Sequence, residues 1–200
     1  MTAWRLFPEG TVPEWTTTAW YQERDRAPHI DEPAHQGRLT LAADMVRWAV
    51  EHHPVQSVVD LGCGDGGLLW SLRDLAERWQ LRMWGYDLQP SNIGPAVSER
   101  GVDVRYGDVV TGDVEWADLA VCTEMIEHLV DPAAFVRRVA EQSRVVVASS
   151  PFTERPGSAY KFHTWAFDIQ GYKDLLEQAG YEVVRHETTS MFQIALGVKP

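Results

Sequence analysis

The run Val58-Val59-Asp60-Leu61-Gly62-Cys63-Gly64-Asp65-Gly66-Gly67 constrains the fold more than any other part of the chain. An apolar strand runs into an acid and then into glycines at alternate positions. Each missing side chain lets the backbone turn sharply or lets a ligand come close to it. A parallel sheet brings its backbone against a nucleotide-like ligand in this way. A Gly-x-Gly-x-Gly run alone is weak evidence, so the flanking elements must agree with it.

The flanking elements do agree. His35 to His52 carries Leu39, Leu41, Ala42, Met45, Val46, Trp48, Ala49 and Val50 at helical spacing and stops before Pro54. Strands and helices then alternate. The pattern predicts strand Ser57–Leu61, then a helix over Gly67–Gln80 with Leu68, Leu69, Leu72, Leu75 and Trp79 on one face. Strand Leu81–Tyr86, helix Ser91–Arg100, strand Val102–Tyr106 and strand Ala117–Cys122 follow. Helix Pro132–Gln142 starts behind an Asp131 cap, and Arg144–Ala148 reads as a strand buried on both faces. Helix Ile169–Gln178 lies between Asp168, a cap, and Gly180, a stop. The last two strands, Glu182–Arg185 and Met191–Val198, are too close for a helical crossover and must pair antiparallel. The expectation is an α/β fold, a mostly parallel sheet with one antiparallel strand. Residues 1–34 have no clear period and read as an N-terminal arm or lid, and residues 35–200 as one ligand-binding domain.

Composition narrows the partners. The 200 residues suit one domain. A net charge of −11 speaks against a large nucleic-acid footprint, which needs a basic patch. No apolar run is long enough to span a bilayer, and the N-terminus has no signal-peptide core, so the cytoplasm is the expected location. Cys63 and Cys122 read as reduced thiols. Most of the nine tryptophans read as core filler.

The chemistry is written at the strand ends. Tyr86-Asp87-Leu88 places an acid about 20 residues past the glycines, where it can bind two ribose hydroxyls. Asp108 of Gly107-Asp108-Val109 can accept from an adenine amino group, with Val109 beside the ring. Asp60 and Asp65 would repel a pyrophosphate. They suit a cationic ligand without phosphate, and S-adenosylmethionine is such a ligand.

These motifs, in this order, resemble the class I S-adenosylmethionine-dependent methyltransferases from about Ser57 to the C-terminus. Ala117-Asp118-Leu119-Ala120-Val121-Cys122-Thr123-Glu124-Met125-Ile126-Glu127-His128-Leu129 is similar to their fourth motif. Tyr172 to Val184 is similar to their closing helix and strand. The usual Pro-Gly turn before the fifth strand is replaced by Glu141-Gln142-Ser143, on the far side of the sheet. The resemblance implies a Rossmann-like three-layer sandwich with seven strands, the last reversed. It implies that Asp60, Gly62, Cys63, Gly64 and Gly66 surround the methionine part of the cofactor. Asp87 would hold the ribose, Leu88 would pack on the adenine, and Asp108 and Val109 would meet its edge. Thr123 and Glu124 would lie under the methionine and sulfonium.

The methyl acceptor is less legible. Glu124, Glu127 and His128 stand at i, i+3 and i+4, one helical face, a spacing that can hold a divalent metal. This segment resembles those of ubiquinone-pathway O-methyltransferases and of RNA 3′-end 2′-O-methyltransferases. The second group uses two Glu and two His, and His163 lies where the further His would fall. The same run also occurs in methyltransferases with no known metal, and the expectation is no metal. The loop Ser149–Trp165 lies where substrate residues usually fall. His128 or His163 can act as a base on a hydroxyl or amine, which gives His128, His163 and Glu124 as candidate catalytic residues. In the arm, Trp20-Tyr21 and His29 to Arg38 can close over the cofactor, with Arg38 on its carboxylate. The reading is an O- or N-methyltransferase of a small molecule. The alternatives are a metal-assisted RNA 2′-O-methyltransferase and a cofactor-binding protein without turnover.

Overall fold

Val145-Val146-Val147-Ala148 has no polar side chain, and in the structure helices cover it on both faces, as a central parallel strand requires. The computed structural model describes residues 3–200. The chain forms β1 (Ala3–Arg5), α1 (Thr18–Gln22), α2 (Pro33–His52), β2 (Ser57–Leu61), α3 (Gly67–Ser71), α4 (Arg73–Trp79), β3 (Arg82–Asp87) and α5 (Pro90–Ser98). It continues through β4 (Val104–Tyr106), β5 (Leu119–Thr123), α6 (Pro132–Gln142), β6 (Val145–Pro151), β7 (Trp165–Phe167), α7 (Ile169–Gln178), β8 (Glu182–Thr188) and β9 (Phe192–Val198). Among the described residues, seven strands make one sheet in the order β4-β3-β2-β5-β6-β9-β8. β9 runs antiparallel to both β6 and β8, and the other pairings between neighbours are parallel. The architecture is the expected Rossmann-like α/β sandwich with one reversed strand.

Strand alternation sorts the core into two layers. Val59, Leu61, Ala120, Cys122, Val146 and Ala148 face α6 and α7. Val58, Leu119, Val121, Val145 and Val147 face α2 and the Leu68, Leu72 and Leu75 side chains. The chain leaves β2 to one side for β3 and returns on the other side at β5. That reversal opens a crevice at the carboxyl ends of the strands, where ligands bind in open α/β sheets.

Several elements differ from the pattern-based expectation. The helix expected over 67–80 is two helices, because Leu72 leaves helical geometry at φ −100° and ψ 4°. The break turns Leu68, Leu72 and Leu75 into one core while Leu69 packs beside Ala96 and Val104 in another. Trp79 is left 43% exposed. Most tryptophans are not core filler: among the described residues only Trp84 is fully buried. Residues before α2 are not without structure. β1 pairs antiparallel with β7, Trp4 opposite Ala166, and α1 is capped by the Thr17 hydroxyl. Both cysteines are free thiols. No helix of the described residues is long and apolar enough to cross a membrane.

Candidate functional site

The glycine turn between β2 and α3 is held against β3. The Gly62 and Cys63 amides both donate to the Tyr86 carbonyl, at 2.9 and 3.0 Å. Gly62, Gly64 and Gly66 all have left-handed backbones, with φ of 78°, 56° and 74°. Gly62 and Gly64 face a cavity of about 1110 Å³ at the crevice. Gly66 does not line it: a Cβ there would stand 2.5 Å from a Val102 methyl, so this glycine serves helix packing. The cavity exceeds the range usual for one drug-sized ligand, about 300–1,000 Å³, and has room for two.

Asp87 ends β3 facing this cavity. Its Oδ2 accepts from the Gly64 amide at 2.7 Å, and its Oδ1 from the Gln89 amide at 2.8 Å and the Asn92 side chain at 3.2 Å. Burial raises its pKa, and these donors counter the rise. Three fixed donors hold the carboxylate while lone pairs remain for a ligand.

Asp60 is 1% exposed, and its Oδ1 has no protein partner among the described residues. Burial pushes it up to about 7, against the pull of the Arg38 charge. Arg38, on α2, is 2% exposed, and its Nε is likewise unpartnered. Buried polar groups are nearly always satisfied, so an unpartnered Asp60 oxygen and an unpartnered Arg38 Nε–H, on two residues lining one cavity, fit a zwitterionic ligand there.

Asp65 has a different role from Asp60. Its Oδ2 takes Arg26 Nε at 2.9 Å and an Arg100 NH group at 2.7 Å. Arg26 also pairs with Glu99. Asp65 is therefore a junction between the glycine turn, α5 and the segment before α2.

At the far end of the crevice Asp108 lines the cavity but also caps its own turn. It accepts from the Val110 and Thr111 amides at 2.9 and 3.2 Å. Leu88 lines the cavity as expected. Val109 does not: its side chain is buried in the core with Val59 and Trp84, because the turn sends alternate residues inward. Val110 takes the position at the cavity wall.

The opposite end carries the histidines. Thr123 closes β5, and Glu124 follows with a left-handed backbone at φ 54°. That conformation costs a non-glycine residue about 1–3 kcal/mol and is typical of functional sites. Glu124 Oε1 accepts from Ser149 Oγ at 2.8 Å. The expected shared helical face of Glu124, Glu127 and His128 does not exist. Only Ile126–His128 forms a turn, a single 3-10 turn, and Glu124 lies outside it.

Folding instead gathers Glu127, His128 and His163, each offering a ligand atom within 4.8 Å of the others. Glu127 is 1% exposed with neither carboxylate oxygen partnered, and burial beside Glu124 pushes its pKa well above the usual range. His128 Nδ1 donates to the Phe162 carbonyl at 3.1 Å, and burial pushes the ring down to about 3, so it is neutral with a free Nε2. His163 Nδ1 lies 2.6 Å from Glu154 Oε2, which fixes its tautomer and leaves Nε2 free. The two rings meet edge to face at 4.6 Å. Glu154, Asn92 and Arg26 were not legible as site residues, since each works through another residue rather than through a motif.

Residues 21–186 match the methyltransferase-domain family. Curated relatives include the ubiquinone biosynthesis O-methyltransferase of Methylobacterium sp. (strain 4-46), 39% identical over 88 residues, which are 40% of this chain and 34% of the relative. The enzyme of the same name from Burkholderia thailandensis is 30% identical over 142 residues, 66% of this chain and 53% of the relative. The matched stretches thus span between a third and about half of these relatives. Among solved structures, the N-methyltransferase NodS from Bradyrhizobium japonicum WM9, in complex with S-adenosyl-L-homocysteine, superposes with a TM-score of 0.67 at 17% identity. That alignment covers 93% of this chain and 98% of NodS, a likeness of fold.

Proposed function

The chain belongs to the methyltransferase-domain family, the class I S-adenosylmethionine-dependent methyltransferases, and from that premise we propose that it methylates an oxygen or nitrogen of a small molecule, a hydroxyl before an amine. The observation that carries the cofactor assignment is the pair of unpartnered atoms on Asp60 and Arg38, two residues that line one cavity. Asp60 accepts from the cofactor's ammonium and Arg38 donates to its carboxylate. Asp87 takes the ribose hydroxyls, and Leu88 and Val110 flank the adenine with Asp108 at its edge. Gly62, Cys63 and Gly64 leave the backbone open to the methionine part. Thr123 and Glu124 lie beneath it. When bound, the cofactor supplies an electrophilic methyl group on a good leaving group.

The protein's part is alignment, exclusion of water and proton removal. Trp20, Tyr21 and Phe162 wall the cavity near the histidines, and residues 18–31 cover it as a lid. His163, held by Glu154, takes the acceptor's proton at Nε2, with His128 beside it. The shared name of the curated relatives favours a hydroxyl acceptor. The two free thiols suit a reducing compartment, and we place the protein in the cytoplasm.

A second reading rests on one specific observation, the Glu127, His128 and His163 cluster with its unpartnered carboxylate. This donor set fits a divalent ion that would orient the acceptor oxygen and lower its pKa. The net charge of −11 keeps the acceptor a small molecule rather than RNA in either reading. Calorimetry with S-adenosylhomocysteine tests the cofactor site, and no heat at millimolar ligand would overturn the proposal. Methyl transfer that is lost on chelation and restored by a divalent ion selects the metal-assisted reading. Activity indifferent to chelator selects the histidine base.

A further inference from the structure

Arg24 stands in the same cavity with no charge to answer it. Acidic residues outnumber lysines and arginines by 29 to 18, and six of the fifteen arginines pair with a carboxylate among the described residues: Arg26, Arg47, Arg82, Arg100, Arg105 and Arg185. Arg24, half-buried, pairs with no carboxylate among the described residues, and no side-chain N–H of it meets an acceptor there. It lies over the Trp20 ring, 4.2 Å from the centroid, and 5.6 Å from that of Phe162. Its carbonyl is pinned by the Ser91 hydroxyl at 2.8 Å, so the residue is anchored on its backbone side.

Position separates Arg24 from the cofactor's own cation site. Arg38 sits beside His35 and Phe192 and acts on the charge of Asp60. Arg24 sits with Trp20 and Phe162, and its charge is felt at His128 and Tyr21. Arg38 also acts on Glu124 and Glu127, so contacts tell the two arginines apart: Arg38 answers Asp60, and Arg24 lies on the Trp20 and Phe162 rings that wall the side assigned to the acceptor. An arginine on an aromatic face keeps its planar fork of N–H donors, which matches a carboxylate in two-point contact.

We propose that Arg24 is the recognition residue for an anionic group on the methyl acceptor, and that the acceptor is a small molecule carrying a carboxylate. The assignment rests on the methyltransferase reading of the same cavity. A phosphate monoester fits less well, because it brings nearly two negative charges to one arginine. Asp87, Asp108, Glu124 and Glu154 also line this cavity, and their repulsion grows with the ligand's charge, so they oppose a dianion more than a monoanion. Trp20 and Phe162, packed edge to face at 4.9 Å, supply the apolar wall beside Arg24.

The test uses the full chain saturated with S-adenosylhomocysteine and two isosteric probes, benzoate and benzamide, which differ in charge. Benzoate should bind about tenfold more tightly than benzamide, the usual worth of a charge-assisted contact. Arg24→Gln should abolish that preference and Arg24→Lys should keep part of it, with the affinity for S-adenosylhomocysteine and the melting temperature held in both. Equal binding of the two probes to the wild-type protein, or binding of neither at millimolar concentration, would overturn the proposal. So would tighter binding of phenyl phosphate than of benzoate, or loss of S-adenosylhomocysteine affinity in Arg24→Gln, which would assign the residue to the cofactor. Failure of the wild-type protein to bind S-adenosylhomocysteine brings down the cofactor reading itself, so the two failures are distinct.

Discussion

Arg26 donates from Nε to Oδ2 of Asp65 at 2.9 Å, and through this bond the segment before α2 is fastened to the glycine turn. The fastening is reinforced by backbone contacts: the Ala27 amide donates to Asn92 Oδ1 at 3.1 Å. Residues 24–27 thus lie over the N-terminus of α5 and beside the cavity mouth.

Arg26→Gln should therefore loosen the cover without unfolding the protein. Asp65 keeps Arg100 at 2.7 Å, so its buried charge is not stranded. We expect a stability loss of about 1 kcal/mol or less. Dissociation of S-adenosylhomocysteine should speed up by about an order of magnitude. Stopped-flow release kinetics and hydrogen exchange over residues 18–31 check this. Unchanged release would show that the segment is a fixed wall.

Asp60 makes cofactor binding and stability depend on pH in opposite directions. Burial raises it from 3.8 to about 7 in the folded protein. Folding then favours the protonated form, so its contribution to stability is full below about pH 3.8, declines as pH rises and is gone above about pH 7. Binding an ammonium needs the ionised form, so S-adenosylhomocysteine affinity should fall about tenfold per pH unit below pH 7. Asp60→Asn should bind weakly with a flattened pH profile. Its stability slope should shrink rather than vanish, since burial also raises Asp87, Glu124 and Glu127. Calorimetry between pH 5 and 8 reads both effects.

Glu154→Gln should separate positioning from binding. Glu154 meets the Tyr160 amide with Oε1 at 3.1 Å and His163 Nδ1 with Oε2 at 2.6 Å. A glutamine offers one oxygen for these two donors, so one of them would face an amide NH2 and His163 would lose its hold or its tautomer. We expect kcat to fall by about 10–100-fold with S-adenosylhomocysteine affinity retained. Imidazole nitrogen chemical shifts should show His163 losing its fixed tautomer in Glu154→Ala. A wild-type turnover rate in both variants would remove His163 from the mechanism.

Two glycines should answer oppositely to alanine. Gly66 has φ 74° and no room for a Cβ, which would stand 2.5 Å from Val102. Gly66→Ala should cost about 2–4 kcal/mol, strain and overpacking together. Gly37, exposed within α2, would set a Cβ no closer than 3.8 Å to a Thr189 methyl, an ordinary contact. Gly37→Ala should add about 0.5–1 kcal/mol, because the unfolded chain loses freedom. Chemical denaturation of the two variants tests the contrast.

Local chemistry made some features legible. Asp131 and Asp168 stand at helix-cap positions in the sequence pattern, and each accepts from the third residue on, Ala134 and Gly171. The reversed final strand followed from a connection too short for a crossover. Other features had no local signal. The break at Leu72 comes from two cores competing for one leucine-rich run. Val109 and Val110 exchange roles because the turn after Asp108 decides which side chain faces inward. The i, i+3, i+4 face dissolved because Glu124 adopts a left-handed backbone.

The sequence by itself determined the layered fold, the glycine turn and the acids Asp60 and Asp87 at the strand ends. Those follow from periodicity, chain length between strands and the conformational needs of glycine, all of which act between near neighbours. Only the tertiary structure decided which charges are answered. Asp65 is taken by Arg26 and Arg100, while Asp60, Arg38, Glu127 and Arg24 make no ion pair among the described residues. Pairing of that kind depends on residues tens of positions apart meeting in space, and the groups left unpaired mark where ligands belong.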